Sequence, residues 1–519
     1  MKPQNKWIPY FWGIMAGIWL LAAVEAIYFY SKFLKDRTKT EQQKKETEAK
    51  IIPLSALDSL KYYVDELATH DSISHGTFGF FVATADSGKI IYERNSDISL
   101  IPASSLKVVT TGIALKTLGK DFYFPTILQY SGVIDKNSKT LRGNIYIHGS
   151  GDPTLGSNNF GVNAMEITLR QWLTAIDSLG IDSINGSIIG DGEIYDYDAT
   201  PGGWAWEDVV NNYGAAPSGL SFHDNCYDIK VTITKYGVKS EIEPDVPQFT
   251  TQNNILYNPF IYNSYVYAAG PPFVNERIVR GEVKYNGVYS CPVPDPAYFC
   301  AYTLYKYLKK NKINVSDSAT TIRKLNLKGY YEKPLRKPVL ITYSPSLTNI
   351  AYFTLHVSDN MYAETFLKEI SVAKNKFGNT LGGINAIYDY WSDKNIDLRG
   401  FYMTDGSGLS RNNNITAKQL TYMLVSFAND SDIFVPLYKC MPIVGENYYN
   451  KDSDSTSIFR YNIHAKSGYM SRVRSYTGYC RNKKGKMLAF TMIANNHEFA
   501  WNTLLHRMYR IMKIITELE

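Results

Sequence analysis

Two strand-like runs followed at once by an apolar helix are the feature that most constrains the fold. The runs cover residues 77–85 and 90–94 and are joined by a polar turn at residues 86–89. A short connection containing Ile101-Pro102-Ala103-Ser104-Ser105-Leu106-Lys107 then opens an apolar-periodic segment that continues to Leu118, which predicts a helix. We therefore expect a β-hairpin with a helix behind it, and a serine in the first turn of that helix.

Ser104 and Lys107 are three residues apart in this predicted helix. Side chains at that spacing share one helix face, so the lysine amine can approach the serine oxygen. The amino end of a helix also favours negative charge, which suits a serine that becomes a nucleophile. The same spacing occurs at Ser371 and Lys374, inside a polar helical run without preceding strands. The alternative interpretation of either pair is a capping serine beside a solvated lysine.

The order of patterns along the chain predicts an α+β fold. Short strands and turns fill residues 121–337, and helical periodicity returns at residues 346–372, 383–391 and 416–428. Strand-like runs at 461–465, 472–480 and 487–494 precede a strongly amphipathic helix at 499–519. We expect an antiparallel sheet flanked by helices plus a helical lobe, interrupted by a mostly β insertion.

This order predicts a division into several segments. They are an N-terminal membrane anchor at 1–30, a charged linker at 31–50, a catalytic domain made of 51–130 and 335–519, and an inserted region at 131–334, interpreted as two small mostly β subdomains.

The N-terminal segment predicts attachment to a membrane. The run Ile8 to Tyr30 is interrupted by one charge, Glu25, and is long enough to cross a bilayer. An uncleaved anchor is favoured over a cleaved signal peptide, because the run is long and no Ala-x-Ala site follows it. Of the net charge of +6, a surplus of four lies in residues 1–50. A basic balance placed there indicates membrane flanks and argues against a nucleic-acid partner.

The five cysteines predict neither a metal site nor a fixed disulfide framework. They show no Cys-x-x-Cys spacing, so structural zinc is not expected, and we expect no cofactor. Cys291 and Cys300 are close enough in sequence to pair in an oxidising compartment, and the cysteines alone leave the compartment open.

Two further motifs indicate that the Ser104–Lys107 pair is functional. Ser358-Asp359-Asn360 lies between helical segments, and Lys466-Ser467-Gly468 follows an apolar run. Ser-x-Asn is common in this chain, whereas Lys or His followed by Ser or Thr and Gly occurs once. The order Ser-x-x-Lys, Ser-x-Asn, Lys-Ser-Gly is the signature set of penicillin-interacting serine enzymes.

With these motifs the chain resembles the D-alanyl-D-alanine carboxypeptidase/endopeptidase family, the low-molecular-mass class C penicillin-binding proteins. Ser104 and Ser358 are 254 positions apart, far more than in β-lactamases, and this family has an insertion there. The resemblance spans residues 54–519. Further matching stretches are residues 149–155, 203–206, 213–215 and 405–411. The resemblance implies a penicillin-binding/transpeptidase-like domain interrupted by the inserted region.

The resemblance implies a role for each motif residue in acyl transfer. Ser104 would attack the carbonyl of the penultimate D-alanine and form an ester that water later opens. Lys107, if buried, would accept the serine proton in its neutral form. Ser358 would relay a proton to the departing amine, and Asn360 would fix the substrate and the lysine. Lys466 would supply positive charge near the terminal carboxylate of the substrate.

The same resemblance implies a set of substrate-binding residues. The Ser467 hydroxyl would bind the carboxylate beside Gly468, and the N–H groups of Ser104 and Tyr469 would form the oxyanion hole. Where the family usually has a threonine, this chain has Tyr469, which removes a small hydroxyl near the carboxylate.

A second set would recognise the free end of the stem peptide. Asp191 would receive the amine of a diaminopimelate-like side chain, and Arg411 its carboxylate, with Met470 and Ser471 lining the site. The alternatives are a turn residue for Asp191 and a surface ion pair for Arg411.

The sequence therefore predicts a penicillin-sensitive serine DD-peptidase that cleaves the D-Ala-D-Ala bond of peptidoglycan stem peptides, or D-Ala-diaminopimelate cross-links. Its expected partners are those peptides, β-lactams as covalent inhibitors, and the membrane through the N-terminal helix. Its expected location is the cell envelope, anchored in the cytoplasmic membrane with the catalytic part on the outer, periplasmic side. The alternatives are a catalytically weak penicillin-binding or scaffold protein of the same fold, and a β-lactamase or esterase, which the long insertion disfavours.

Overall fold

A computed structural model of the chain describes residues 55–329, 331–445 and 463–519. The predicted membrane anchor and charged linker lie outside these residues. Within them, no helix combines the length and the apolar character that crossing a bilayer requires. Leu60–Glu519 forms one compact unit.

Strands occur in three stretches of the described chain. They are β1 Thr77–Thr84, β2 Ile90–Arg94, β3 Ser99–Leu100, β4 Pro125–Tyr130, β5 Val133–Asp135, β6 Thr140–Arg142, β7 Ile145–His148, β8 Ser183–Asn185, β9 Ile188–Asp191, β10 Cys226–Thr234, β11 Gly237–Glu243, β12 Thr250–Tyr257, β13 Tyr265–Ala269, β14 Glu276–Val283, β15 Gly287–Pro292, β16 Asn314–Val315, β17 Thr320–Thr321, β18 Lys337–Tyr343, β19 Ile415–Thr416, β20 Ile463–Met470, β21 Val473–Arg481 and β22 Met487–Asn495.

Helices precede, interrupt and follow these stretches. They are α1 Ala56–Ala68, α2 Lys107–Leu118, α3 Ala164–Asp177, α4 Trp206–Val209, α5 Pro296–Lys310, α6 Ile322–Leu327, α7 Leu347–Val357, α8 Asn360–Asn375, α9 Thr380–Asp393, α10 Ala417–Ala428, α11 Ser431–Cys440 and α12 Trp501–Glu517.

An antiparallel sheet joins the first described strands to the last, in the order β2-β1-β22-β21-β20. Nearly every residue of β1 and β22 is buried, which is typical of strands covered on both faces. Helix α10 packs on β1 and β22, and α12 packs on β21. Arg507 of α12 forms an ion pair with Glu66 of α1. Strand β20 is left at the edge of this sheet.

Helix α2 is the buried centre of the helical lobe. Its first nine residues, Lys107 to Leu115, are all buried, so an apolar sequence here reflects burial on every side rather than one amphipathic face. Gly112 permits this packing, because a Cβ at that position would lie 2.4 Å from Cζ of Phe427 on α10. The glycine therefore lets Phe427 of α10 pack directly against α2.

Residues between β4 and β18 form a second apolar core around Trp172, Phe222 and Phe299. Its largest sheet has the order β17-β9-β7-β4-β18, and two three-stranded sheets contain β10 to β15. The predicted boundaries of the catalytic domain and the inserted region stay predictions, since Leu60–Glu519 forms one compact unit. All five cysteines lie within the described residues and are free thiols, including Cys291 and Cys300.

The helices and sheets confirm the predicted α+β class. The helical period at 346–372 forms two helices, α7 and α8, which meet at Ser358-Asp359-Asn360 as predicted, because Ser358 adopts a left-handed conformation (φ 64°) and Asp359 caps α8. The structure differs from the sequence patterns at two points near the motifs. The predicted strand at 461–465 extends as β20 through Lys466 to Met470. Ser104 lies in a 3₁₀ turn, Ala103–Leu106, that precedes α2.

Candidate active site

Ser104 is presented by the 3₁₀ turn at the amino end of α2. Ala103 has a positive φ of 49°, an uncommon conformation for a residue with a Cβ, and this turns the chain just before Ser104. The neighbouring Ser105 is buried and donates a 2.8 Å hydrogen bond to the carbonyl of Pro102. Ser104 is half-buried, so its hydroxyl is the one in this turn that a substrate can reach.

Lys107 is completely buried, and its amine has three neighbours. Nζ lies 3.0 Å from Oγ of Ser104, 2.6 Å from Oδ1 of Asn360 and 2.7 Å from the carbonyl oxygen of Ser407. Burial lowers the pKa of Lys107 to about 8, since the charged form loses solvation. The carboxylates of Asp405, Asp359 and Glu364 act in the opposite direction and raise this pKa. Near neutral pH a usable fraction of the amine is therefore unprotonated and able to accept a proton from Ser104.

The second motif lies where α7 ends and α8 begins. Asp359 caps α8 by accepting a 3.0 Å hydrogen bond from the Tyr362 N–H, which places Asn360 in the first turn. Asn360 accepts from Lys107 and donates through Nδ2 to the carbonyl of Tyr213 at 2.8 Å. Ser358 is half-buried and lines the same cavity as Asn360 and Tyr213. The structure thus joins Asn360 to the Ser104–Lys107 pair and opens Ser358 onto the adjoining cavity.

The third motif lies on β20, the last strand of the sheet, just after the residues of β20 that pair with Pro442 to Val444. Lys466 and Gly468 are buried, while Ser467 is half-buried and Tyr469 is exposed, as the alternation of a strand requires. A Cβ on Gly468 would lie 2.5 Å from the Pro102 carbonyl and 3.0 Å from the Ser104 nitrogen. Gly468 is therefore the contact that brings β20 against the turn containing Ser104.

Strand β21, the neighbour of β20 in the sheet, also contacts the turn that contains Ser104. The Ser475 hydroxyl donates a 2.5 Å hydrogen bond to the Pro102 carbonyl, and Ser475 pairs with Gly468 in the sheet. Burial, together with the positive charges of Lys107 and Arg474, lowers the pKa of Lys466 well below its usual value. A carboxylate bound beside Lys466 would offset these positive charges and favour its ammonium form, so this part of the site suits an anionic group.

Arg411, Met470 and Ser471, predicted to bind the end of the substrate, are grouped at the end of β20. The Arg411 guanidinium is exposed and donates a 3.4 Å hydrogen bond to the Ser471 carbonyl. Tyr469 is 56% exposed, and the Arg474 guanidinium lies 5.8 Å from its ring centroid. The large side chain that replaces the usual threonine therefore points outward and leaves the backbone of β20 beside Ser104 unobstructed.

Asp191 is not joined to this group by any contact within the described residues. It ends β9, where Arg336 donates to its carboxylate at 2.5 Å and His148 Nδ1 lies 3.0 Å away. Although burial raises it, the hydrogen bonds from His148 and Arg336 lower the pKa of Asp191 to about 2. Its carboxylate is thus already paired with a cation, whereas the predicted role requires it to bind an amine from the substrate.

The alternative Ser-x-x-Lys pair has ordinary structural partners. The Ser371 hydroxyl donates to the Phe377 carbonyl at 2.7 Å, and Lys374 forms an exposed ion pair with Asp389. The spacing alone therefore does not define the site, and the strands before Ser104 distinguish the two pairs.

Two buried carboxylates at the site were not predicted as functional. Glu364, on α8, accepts hydrogen bonds from the N–H groups of Gly406 and Ser407. Asp405 accepts from the Gly408 N–H at 2.7 Å and from Trp204 Nε1 at 2.9 Å. Asp405 lies within residues 405–411, one of the stretches that carry the family resemblance. Glu364 is four residues after Asn360 on the same helix face. The four-residue spacing from Asn360 could therefore have indicated from the sequence that Glu364 faces the site.

Together these contacts define a serine acyl-transfer site. A reachable hydroxyl lies at the amino end of a helix, a buried amine of lowered pKa is within hydrogen-bonding distance of it, and an edge strand with a buried lysine passes beside it. Among residues 55–329, 331–445 and 463–519, no three or more His, Cys, Asp or Glu side chains are grouped to hold a metal ion. The class is that of penicillin-interacting serine enzymes.

The chain belongs to the D-Ala-D-Ala carboxypeptidase 3 (S13) family, which it matches over residues 60–513. It is 24% identical to penicillin-sensitive carboxypeptidase A of Dictyostelium discoideum over 82% of this chain and 84% of that protein. It is also 24% identical to a D-alanyl-D-alanine carboxypeptidase of an Actinomadura strain, over 85% of this chain and 82% of that one.

The fold is shared with penicillin-binding protein 4 of Haemophilus influenzae. The two superpose with a TM-score of 0.74 over 89% of this chain and 99% of that one, at 20% identity. A second structure of that protein, in complex with a β-lactam, superposes with a TM-score of 0.69 at 19% identity. These findings confirm the predicted family, the penicillin-binding/transpeptidase-like fold and the serine DD-peptidase activity.

Proposed function

We propose that this chain hydrolyses the D-Ala-D-Ala bond of peptidoglycan stem peptides through an ester on Ser104, and that β-lactams acylate the same hydroxyl. The single observation that supports this most is the 3.0 Å contact between the Ser104 hydroxyl and the buried amine of Lys107. The names of the relatives, a penicillin-sensitive carboxypeptidase and D-alanyl-D-alanine carboxypeptidases, agree with this substrate and this inhibitor class.

In acylation the neutral amine of Lys107 takes the proton from Oγ of Ser104 as Oγ bonds to the carbonyl carbon of the penultimate D-alanine. The carbonyl oxygen becomes an oxyanion, to which the N–H groups of Ser104 and Tyr469 would donate. When the C–N bond breaks, the leaving amine of the last D-alanine receives a proton through Ser358. Asn360 holds the Lys107 amine in place throughout.

In deacylation a water molecule replaces the departed D-alanine. The water oxygen adds to the ester carbonyl carbon, and its proton passes to the Lys107 amine, directly or through Ser358. As the ester bond breaks, Oγ of Ser104 takes a proton back from this amine. The carboxylate of the substrate is met by Lys466 and by the Ser467 hydroxyl on the edge strand. At the far end of β20, Arg411, Met470 and Ser471 would meet the side chain of the stem peptide.

A second candidate is a penicillin-binding protein with slow turnover. The observation in its favour is Tyr469, because the usual small hydroxyl beside the substrate carboxylate is missing here. Release of D-alanine from a pentapeptide, measured beside labelling by a fluorescent penicillin, separates the two. A peptidase shows both reactions and loses both in Ser104→Ala, whereas a slow penicillin-binding protein is labelled without appreciable release.

We also propose that the chain acts in the cell envelope, held in the cytoplasmic membrane by residues 1–30 with its catalytic part on the outer, periplasmic side. The apolar run Ile8 to Tyr30 and a substrate class found outside that membrane support this. Membrane fractionation with carbonate extraction, followed by mass measurement of the mature N-terminus, tests it. A soluble protein that begins after residue 30 would contradict the anchor.

A further inference from the structure

Glu364 is a buried carboxylate one turn after Asn360 on α8. Its side chain is fully buried, and both of its oxygens lie 3.0 Å from the Gly406 nitrogen. One oxygen also accepts a 2.7 Å hydrogen bond from the Ser407 N–H. Burying a carboxylate is costly unless such bonds compensate it, and these three contacts supply the compensation for Glu364.

The backbone that Glu364 binds is the backbone that binds Lys107. The carbonyl oxygen of Ser407 accepts the 2.7 Å hydrogen bond from the Lys107 amine, while the N–H of the same residue donates to Glu364. The Gly406 carbonyl accepts from Thr110 Oγ1 at 2.7 Å, which joins this segment to α2. Displacing the Gly406–Ser407 segment would therefore move one of the three neighbours of the Lys107 amine.

Helix α8 thus contacts the base in two ways. Asn360 binds the Lys107 amine directly, and Glu364, four residues later, binds it through the Ser407 backbone. The charged groups that face Lys107 are Glu364 on α8, Asp359 at its cap, Asp405 in the loop before β19, and Lys466 on β20. Of the three carboxylates, Glu364 is the one that binds the N–H of Ser407, whose carbonyl oxygen accepts from Lys107.

We propose that Glu364 is a positioning residue that holds the Ser407 carbonyl against Lys107, and that its negative charge, beside those of Asp405 and Asp359, helps to set the pH range in which Lys107 can take the proton of Ser104. This rests on the proposed function, because it takes Lys107 as the base in acylation. Glu364 itself transfers no proton to the substrate and touches neither reacting atom.

The direction of the effect follows from electrostatics. Burial raises the pKa of Glu364 to about 7, so this carboxyl is mostly ionised across a limb whose midpoint lies near 8. Its anion stabilises the ammonium form of Lys107, together with Asp405 and Asp359, and so raises the pKa of the amine against the effect of burial. Replacing the carboxylate by an amide removes that charge and leaves an oxygen able to accept from the two N–H groups. The pKa of Lys107 then falls, and the rising limb of the pH–rate profile moves to lower pH.

The test is the pH dependence of kcat/KM for D-alanine release in the wild-type chain and in Glu364→Gln. We expect the midpoint of the rising limb to move down by on the order of one pH unit, as removal of one nearby charge predicts. The rate of acylation by a fluorescent penicillin should show the same displacement, because it depends on the same proton transfer.

Glu369→Gln is the matched control. Glu369 lies on the same helix, is buried, and accepts a 2.6 Å hydrogen bond from the Tyr195 hydroxyl, away from Lys107. Its replacement should lower the melting temperature and leave the midpoint of the limb where it is. Melting temperatures of both variants exclude unfolding as the cause of any change.

The outcomes separate this inference from the function on which it rests. If Ser104→Ala abolishes release and acylation but the limb of Glu364→Gln stays at the wild-type pH, the role of Glu364 is wrong and the proposed function stands. If Ser104→Ala retains both reactions, the proposed function itself fails. If Glu364→Gln does not fold, Glu364→Asp takes its place as the test, because it keeps the charge. This variant should fold, lower kcat/KM and retain the wild-type midpoint of the limb. A displaced midpoint in Glu364→Asp would overturn the inference.

Discussion

The side-chain oxygen of Asn360 lies 2.6 Å from the amine of Lys107, although 253 positions separate the two residues. Asn360 also donates to the carbonyl of Tyr213, which lies in the segment between α4 and β10. The amine that serves Ser104 is therefore fixed by residues from three distant parts of the chain. Changes in any of these parts should alter the same proton transfer.

Replacing the nucleophile tests the site directly. In Ser104→Ala we expect the release of D-alanine to fall by on the order of 10⁴-fold or more, because no oxygen remains to form the ester. Intact mass after incubation with penicillin should show no added acyl group. Ser371→Ala, in the second Ser-x-x-Lys pair, is the control and should be labelled like the wild-type chain. Labelling that persists without Ser104 would place the nucleophile elsewhere.

The state of Lys107 predicts a rising pH profile. Because its pKa is lowered to about 8, the neutral fraction of the amine, and with it kcat/KM, should increase with pH, reach half of its maximum near pH 8 and level off above about pH 9. In Lys107→Met the rate should fall by about 10²- to 10⁴-fold, and the limb with a midpoint near 8 should disappear. Stopped-flow acylation from pH 5 to 10 measures both effects. A limb of the same midpoint in Lys107→Met would assign it to another group.

Gly468 predicts a steric effect on acylation. An added Cβ would meet the Pro102 carbonyl at 2.5 Å and the Ser475 hydroxyl at 2.3 Å, so Gly468→Ala should push β20 away from the Ser104 turn. A displacement of about 1 Å is enough to lower the acylation rate by about 10²-fold. Gly161→Ala, at a position with open space around its Cβ, is the control. Equal rates in the two variants would show that β20 does not set the geometry of Ser104.

Asp191 is predicted to act more on stability than on catalysis. Its pKa, about 2 in the folded chain, lies below the ordinary value of 3.8, so its ionisation stabilises the fold above about pH 4 and this contribution is lost as the pH falls through 2. Asp191→Asn should lower the free energy of unfolding at pH 7 by on the order of 2 kcal/mol, with a smaller deficit near pH 3.

Chemical denaturation at pH 7 and pH 3, together with the KM for a diaminopimelate-containing peptide, gives the comparison. An unchanged stability with a large rise in KM would instead support the predicted contact between Asp191 and the substrate amine.

Much of the site could be predicted from the sequence because its motifs are local. The pair Ser104 and Lys107 depends on helix spacing, and Lys466 to Tyr469 on the alternation of one strand, so neither needs knowledge of distant contacts. The strands leading into Ser104 also distinguished it from Ser371. The same local patterns predicted the central antiparallel sheet and its α+β class.

What was not predicted depends on burial and on breaks in regular structure. Glu364 resembles a solvated helix residue until the structure shows that the loop of Gly406 and Ser407 covers it. The junction at Ser358 was predicted, but not the left-handed conformation of Ser358 that forms it, because a left-handed residue other than glycine is a weak signal in a sequence. The partner of Asp191 is Arg336, which is 145 positions away and has no pattern that links the two.

The sheet order β2-β1-β22-β21-β20 has a consequence for biosynthesis. Strand β22 bridges β1 to the edge that holds Lys466, and the ribosome makes it after almost everything else. A nascent chain that stops before residue 487 already contains Ser104 but has no bridging strand to bring β20 beside it. We therefore expect prematurely terminated products to be inert toward peptide and antibiotic alike, so that hydrolytic power arrives only with the finished polypeptide.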